Sequence, residues 1–451
     1  MRRFPWIAWL LVTAAMASYL TYRLRGPDPT AFLPGRTSHG HYQIELACTA
    51  CHTPLMGVKE DACITCHGAE LKRANDSHPK AKFTDPRNAD LLLRLDAANC
   101  VTCHREHVPE QTRAMGVTLP DDYCFHCHQE TVKERESHRN YAFNSCATAG
   151  CHNYHDNSAL YEDFLAKHLQ EPAHQDTQAV PPRNLAEFLA AAGRPPRPTL
   201  GADDPDAPAD VKREAGLLPD WVDTAHARAG INCTDCHHVE DPVSRNLGWT
   251  DQPGHAACAK CHPDETEGFL AGKHGMRLAR NLTPMTPAQA RLPMKAGAAH
   301  RDLSCVSCHG AHRFDTRQAA MDSCLGCHDD AHSRAYQSSP HFALWQDELA
   351  GKAAPGTGVS CATCHLPREV HERDGDRRVL VQHNQNLNLR PNEKMIRTVC
   401  LNCHGLPFTL DALADAALGR TNFTGRPTHH VESLDLVRRR LLETEKRVQD
   451  H

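Results

Sequence analysis

Hydrophobic positions are thinly spread along this chain, and they form readable patterns in only a few places. Residues 4–22 (FPWIAWLLVTAAMASYLTY) are uncharged and mostly apolar, with Arg2 and Arg3 before them and Arg23 and Arg25 after. A run of that length suits a helix crossing a bilayer, which favours an uncleaved anchor with a short cytoplasmic tip. Its rival is a signal peptide cut after Ala15-Met16-Ala17, although Tyr19, Leu20 and Tyr22 prolong the apolar stretch past that point. Both readings export the remainder of the chain.

Near the other end, Leu434, Val437 and Leu441 recur at helical spacing within an otherwise charged stretch, so 432–448 reads as an amphipathic helix. A short helix is expected at 184–192, and longer helices are expected to fill the wider gaps such as 264–280. No alternating run is long enough for a sheet, so the fold class is mainly α with much irregular structure and no substantial sheet.

Between these patterns lies a stretch rich in Pro172, Pro181, Pro182, Pro195, Pro196, Pro198, Pro205, Pro208 and Pro219. It reads as a linker over 171–224, after an N-terminal segment 1–25 and a first domain 26–170, and before a second domain 225–451. A long surface loop of one single domain is the alternative.

Cysteine changes the picture. All 22 cysteines fall into eleven pairs that each end in Cys-His, with none left over. In the first half these are Cys48/Cys51/His52, Cys63/Cys66/His67, Cys100/Cys103/His104, Cys124/Cys127/His128 and the wider Cys146/Cys151/His152. In the second half they are Cys233/Cys236/His237, Cys258/Cys261/His262, Cys305/Cys308/His309, Cys324/Cys327/His328, Cys361/Cys364/His365 and Cys400/Cys403/His404. Ten have the C-x-x-C-H spacing of covalent haem c attachment, and the fifth is C-x4-C-H. Short helical turns are expected to carry the motifs. Two thiols one helical turn apart can each form a thioether with a porphyrin vinyl group, while the next His binds iron from below. Half of a zinc site also has Cys-x-x-Cys, but zinc does not require a His after every second cysteine. A disulfide framework would leave those histidines unexplained.

Eleven covalent haems leave about 41 residues for each, little room for an ordinary core. Aromatic content is 6% and mean hydropathy −0.56, so a stacked haem chain is expected to supply the apolar interior and its removal to unfold the protein. The formal charge is −5; with two propionates and one ferric iron per haem the oxidised holoprotein comes to about −16, which excludes nucleic acid as a partner. The 432–448 helix is expected to pack on the last haems, with subunit contact the alternative.

Of 33 histidines, eleven are the proximal ligands named above, and the rest are enough to place a second imidazole on every iron. His107, His155 and His312 stand three residues after a motif His, and His332 four after, which points each ring toward a neighbouring haem. His41, His78, His138, His226, His274, His300, His341, His371, His383 and His430 precede motifs or stand alone and complete the distal candidates, with His39, His168 and His429 as further ones. Two imidazoles leave iron with no open position, a centre suited to passing electrons.

Residues 39–174, with both C-x-x-C-H and C-x4-C-H motifs among histidine-dense loops, resemble the class III (cytochrome c3-like) multihaem carriers. From residue 225 onward the order Cys258-Ala-Lys-Cys-His262, Phe269-Leu-Ala-Gly-Lys-His274, Cys305-Val-Ser-Cys-His309-Gly-Ala-His312, Cys324-Leu-Gly-Cys-His328, Cys361-Ala-Thr-Cys-His365 and Cys400-Leu-Asn-Cys-His404 resembles the superfamily of hydroxylamine oxidoreductase, octahaem reductases and cytochrome c nitrite reductase. That resemblance implies a mainly helical haem domain and, by motif order, an open catalytic haem at His262, with His300 or His274 capping its iron or lining a distal pocket. No C-x-x-C-Lys motif is present, and no tyrosine follows Tyr336 to make the cross-link of the hydroxylamine-oxidising branch.

The expected function is a periplasmic, membrane-anchored undecahaem cytochrome at the inner membrane of a Gram-negative bacterium, carrying electrons in anaerobic respiration. Its redox partners would be a quinol-linked or soluble donor and another cytochrome or a terminal reductase. The alternative is a reductase of small nitrogen or sulfur oxyanions working at the His262 haem.

Overall fold

The computed structural model describes residues 4–25, 32–53, 56–76, 78–120, 122–135, 138–139, 154–156, 162–173, 185–191, 193–211, 217–240, 245–373, 376–389 and 394–449. Cys146, Cys151, His152 and the side chain of His371 therefore lie outside the description.

The molecule is mainly α, as the absence of alternation predicts. Its helices are mostly one or two turns long, and among the described residues the strands form only three two-stranded antiparallel hairpins. The longest of these pairs Arg368–Arg373 with Asp376–Val381. The first helix, Phe4–Arg25, exposes its apolar side chains, Trp6 at 69% and Leu11 at 67% among them. Among the described residues no helix is long and apolar enough to cross a membrane.

Two compact units divide the chain. The first takes the described residues up to Ala69 and Pro79–Glu134; the second takes Glu70–His78 and everything described from Arg135 onward. The division thus falls ahead of the proline-rich stretch. The described residues of 171–224, expected as a linker, belong to the second unit: Leu189 is buried with Ala229 and Ile231 against Cys236, and Arg194 and Arg197 pair with Asp235 at 2.9 and 2.8 Å. Between its short helices Leu185–Ala191 and Leu217–Val222 the stretch is irregular yet still buries residues, because the anchoring groups are side chains.

Apolar cores are small. In the second unit, Leu165 and Leu169, within and just after the helix Glu162–His168, gather with Ile396, Leu406, Leu410, Leu434 and Val437. The amphipathic helix, observed over Ser433–Gln449, buries Leu434 and Val437 in this cluster as its spacing predicts. A second cluster holds Met321, Tyr336 and Trp345, where the Tyr336 hydroxyl donates to the Val359 carbonyl at 2.7 Å.

Candidate functional site

The Cys-x-x-Cys-His units share a local geometry. The backbone N–H of the motif His donates to the carbonyl of the first Cys in the units ending at His104 (2.9 Å), His128 (3.0 Å), His262 (2.9 Å), His328 (2.9 Å) and His404 (2.8 Å). One helical turn places the first Cys and the His on the same face. Three units are opened by a reciprocal cap at the residue before the first Cys: Asn232 with Asp235, Ser304 with Ser307, and Ser360 with Thr363. Such caps satisfy the orphan amides of a turn too short to hold itself.

The short helical turn expected at each motif is irregular at five units: Cys124 stands just before its helix, Phe125–His128, and in four others the second Cys falls after the helix. Cys51, Cys261, Cys327 and Cys403 stand outside their helices, which end at Ala50, Ala259, Leu325 and Asn402. Each instead donates its backbone N–H to the carbonyl of the first Cys, three residues back, at 3.3, 3.1, 3.1 and 3.1 Å. At Cys258, Cys324 and Cys400 the same carbonyl also accepts the motif His N–H, so it is shared between a three-residue and a four-residue closure. The turn is kept, but its second half is irregular. Cys63 and Cys66 depart the other way, lying within the longer helix Glu60–Ala74. Exposure also varies: Cys48 and Cys66 are exposed, Cys51 and Cys261 half-buried and Cys327 buried.

Histidines from other segments stand opposite these turns. In the first unit, His41 faces His67 with ring centres 5.8 Å apart, and His107 faces His52 at 6.4 Å. In the second, His226 faces His262 at 6.2 Å, His312 faces His237 at 5.9 Å, His383 faces His309 at 6.2 Å and His274 faces His328 at 6.3 Å. His332 faces His365 at 6.1 Å and His341 faces His404 at 6.2 Å. Two imidazoles on opposite sides of one metal, each bound at about 2.0–2.1 Å, put their ring centres about 6.3 Å apart. The residues fit iron held between paired imidazoles.

Second partners of the rings agree with that fit. Nδ1 meets a backbone carbonyl at Gly35 for His107 (2.9 Å), Thr250 for His237 (2.7 Å), Gly419 for His332 (2.6 Å) and Val381 for His383 (2.8 Å). Such a bond fixes the tautomer and turns Nε2 toward the opposite ring. His332 differs in that its Nε2, the nitrogen that would meet iron, is approached by the neutral Asn422 amide at 3.1 Å, a contact that ligation would displace. Burial pushes His226, His274 and His309 down to about 4, which holds them as the neutral imidazoles that a metal requires. The Nδ1 atoms of His226 and His312 are buried with no hydrogen-bond partner. At Glu106 burial acts upward, but His41 and Ser38 outweigh it and bring the carboxyl down to about 2.

His107 and His312 share a conformation as well as a spacing. Both have left-handed backbones, φ 64° and 63°, which is uncommon for a residue with a Cβ and marks a functional constraint. Each reaches back to the first motif of its own unit, and their rings lie at 29° and 7° to their partners.

Successive motifs are neighbours in space. The thiols of Cys63 and Cys100 are in hydrogen-bond contact, as are Cys258 with Cys305 and Cys324 with Cys361. Cys51 lies close enough to Cys63, and Cys261 to Cys236, to act electrostatically on those thiols, so both stand beside the neighbouring motif. Burial, joined by the proximity of Cys403, pushes the Cys364 thiol up to about 12, and Cys308, near Cys324 and Cys327, goes up to about 11 chiefly through burial. None of the described cysteines is joined in a disulfide. Among the described residues no cluster of three or more His, Cys, Asp or Glu is placed to hold a metal ion by itself.

Other distal candidates are placed elsewhere. His430 is exposed, and its two nitrogens are taken by Asp411 and Asp435 at 3.1 and 3.0 Å, which leaves none for a metal. His300 is exposed, and it is His226, not His300 or His274, that faces His262. His78 stacks on Tyr154 at 4.0 Å, and its Nδ1 meets the Tyr154 carbonyl at 2.5 Å. His155 lies 3.4 Å from Asp76, while His78, His138 and His155 all belong to the second unit. His39 pairs with Glu110. His168 binds Glu171 at 2.5 Å and lines a cavity of about 420 Å³ with Phe164, Lys167, Arg397 and Leu401.

With its repeated attachment turns, opposed imidazoles and lack of extended sheet, the chain is a multihaem c-type cytochrome that carries covalent haem c. The sequence model of the cytochrome c3 family matches residues 40–129, which span the first four motifs. Curated relatives include "Cytochrome c-552" from Haemophilus influenzae strain 86-028NP, 28% identical over 187 residues, covering 33% of this chain and 32% of that protein. The protein of the same name from Haemophilus ducreyi is 26% identical over 175 residues, with the same shares covered. The chain thus spans about a third of the length of the curated relatives it matches. No solved structure matches it.

Proposed function

We propose that this cytochrome holds eleven haems and acts as an exported electron carrier, working at the periplasmic side of the inner membrane of a Gram-negative bacterium. The observation that carries the proposal is His226 standing 6.2 Å from His262. The haem for which motif order implies an open position has a second imidazole available, so the iron of that motif is not singled out for substrate. Further support comes from the adjacency of successive motifs, which favours electron hopping along each unit, and from the proximal and distal residues meeting in pairs.

The ligands proposed are His52 with His107, His67 with His41, His237 with His312, His262 with His226, His309 with His383, His328 with His274, His365 with His332, and His404 with His341. Haem supplies reversible one-electron chemistry at iron. The protein's part is to fix both imidazoles, keep them neutral and exclude competing ligands. Export is supported by the apolar run at residues 4–22, which acts either as a membrane attachment or as a leader that is removed. The donor and acceptor are redox proteins, with a quinol-linked donor on one side and a cytochrome or reductase on the other.

Electron paramagnetic resonance of the oxidised holoprotein tests this. A carrier gives low-spin ferric signals alone, unmoved by nitrite or cyanide. A stoichiometric high-spin signal that shifts with either anion overturns the proposal in favour of a reductase of small oxyanions.

A further inference from the structure

His41 has a hydrogen-bond partner of a different chemical class from those of His107, His237, His332 and His383. The Nδ1 of those four meets a neutral backbone carbonyl. His41 Nδ1 instead lies 2.5 Å from a carboxylate oxygen, Oε1 of Glu106. Glu106 is itself held in place: Ser38 donates its backbone N–H to Oε2 at 2.7 Å and its hydroxyl to Oε1 at 2.8 Å. His67 stands 5.8 Å away across the ring of His41.

An anionic acceptor draws the Nδ1 proton toward itself and makes the imidazole a stronger donor to metal, which a carbonyl does far less. A stronger donor and a nearby negative charge both stabilise ferric iron over ferrous, which lowers the reduction potential. We propose that Glu106 is a positioning residue that works through His41 to hold the haem on Cys63 and Cys66 below the potential it would have with a neutral acceptor at that position. The proposal rests on His41 being the second ligand of that haem. The Ser38 hydroxyl moderates the effect, since each hydrogen bond it gives to Oε1 withdraws charge from the atom that faces His41.

Two variants have opposite expected signs, which a general loosening of the site would not produce. Glu106→Gln keeps an oxygen for His41 but removes the charge. Ser38→Ala removes a competing donor and leaves the carboxylate more basic. In a spectroelectrochemical titration of the full-length holoprotein, Glu106→Gln raises one reduction step, Ser38→Ala lowers the same step, and Glu106→Asp, which retains the charge, returns it toward wild type. His41→Met is the control for the ligand assignment: it changes one haem's spectrum, replacing a bis-imidazole signature with the long-wavelength band of a methionine ligand. If His41→Met changes one haem while Glu106→Gln moves no step or moves it downward, the role of Glu106 is refuted and the ligand pair stands. If His41→Met changes no haem, both fall.

Discussion

His226 faces His262 across 6.2 Å, with the two rings at 80° to one another, and this pair bears most directly on what the cytochrome can do. Phe188 packs on the other side of His262 at 5.3 Å and Phe314 on His226 at 4.4 Å, so the pair is enclosed by aromatic rings. His226→Ala is expected to turn one low-spin ferric centre high-spin and open it to cyanide, as read by electron paramagnetic resonance. His274→Ala opens a different centre, the one at His328, and a double variant therefore shows two high-spin irons.

The eleven motifs predict a holoprotein mass equal to the polypeptide plus eleven haems. Changing both Cys146 and Cys151 to Ser removes one haem mass and leaves the other ten attached. An unchanged mass would show that the C-x4-C-H unit is not an attachment site.

Ser360 illustrates how the attachment turns depend on their caps. Its side chain accepts the Thr363 N–H while Thr363 Oγ1 accepts the Ser360 N–H, and Ser360 is buried in the second unit. Ser360→Ala is expected to cost about 1 kcal/mol and to lower haem occupancy at Cys361 and Cys364 more than at any other motif, measured by peptide mass mapping.

Leu434 is fully buried in the apolar cluster of the second unit. Leu434→Ala removes packing from the end of Ser433–Gln449 and is expected to cost about 3 kcal/mol in denaturant unfolding of the holoprotein. Leu442→Ala on the exposed face of the same helix should change stability by no more than about 0.5 kcal/mol.

His430 contributes a pH-dependent tie. Asp411 and then Asp435 raise its pKa above the ordinary imidazole value, so its contribution is fully present below about pH 6.5 and is lost as pH rises through the higher folded value. His430→Ala should therefore lower thermal stability in mildly acidic buffer and have no effect in alkaline buffer. The site is exposed, so the difference is small, under about 1 kcal/mol, and shrinks with added salt.

Cysteine spacing made the attachment turns legible, because a covalent cofactor constrains neighbouring residues in sequence. It did not reveal where each helix stops, so the irregular placement of Cys51 and Cys261 beyond Ala50 and Ala259 went unread. Ligand pairing was not legible. His226, His274 and His300 all stand free of any motif, and only the route of the chain decides that the first reaches His262, the second His328 and the third solvent. His430 carried a signal that could have been read: an acidic residue stands five positions on, at Asp435, ready to compete for the ring. The hairpin Arg368–Val381 was missed because its strands, REVHER and DRRVLV, are charged on both faces and show no alternation. The residues between them, Asp374-Gly375, are nevertheless a strong hairpin signal in sequence. Proline density likewise marked 171–224 as irregular but said nothing about Leu189, Arg194 and Arg197, whose partners lie far along the chain.

The opposed histidines have a consequence for how the molecule is made. On the proposed ligation each of the eight assigned irons staples two distant points of the chain, closing loops of roughly 25 to 75 residues, and cross-links of that size remove about 3.5 to 4.5 kcal/mol of unfolded-chain entropy each. If the chain is exported as proposed, no such staple can close before its later histidine has emerged on the far side of the membrane. His67 and His107 complete both assigned loops of the first unit before His226 emerges, whereas in the second unit His237 waits for His312 and His309 waits for His383. On that reading the order of export sets the order of closure, and a chain arrested before His312 or His383 would leave the haems at His237 or His309 holding only one of their two imidazoles.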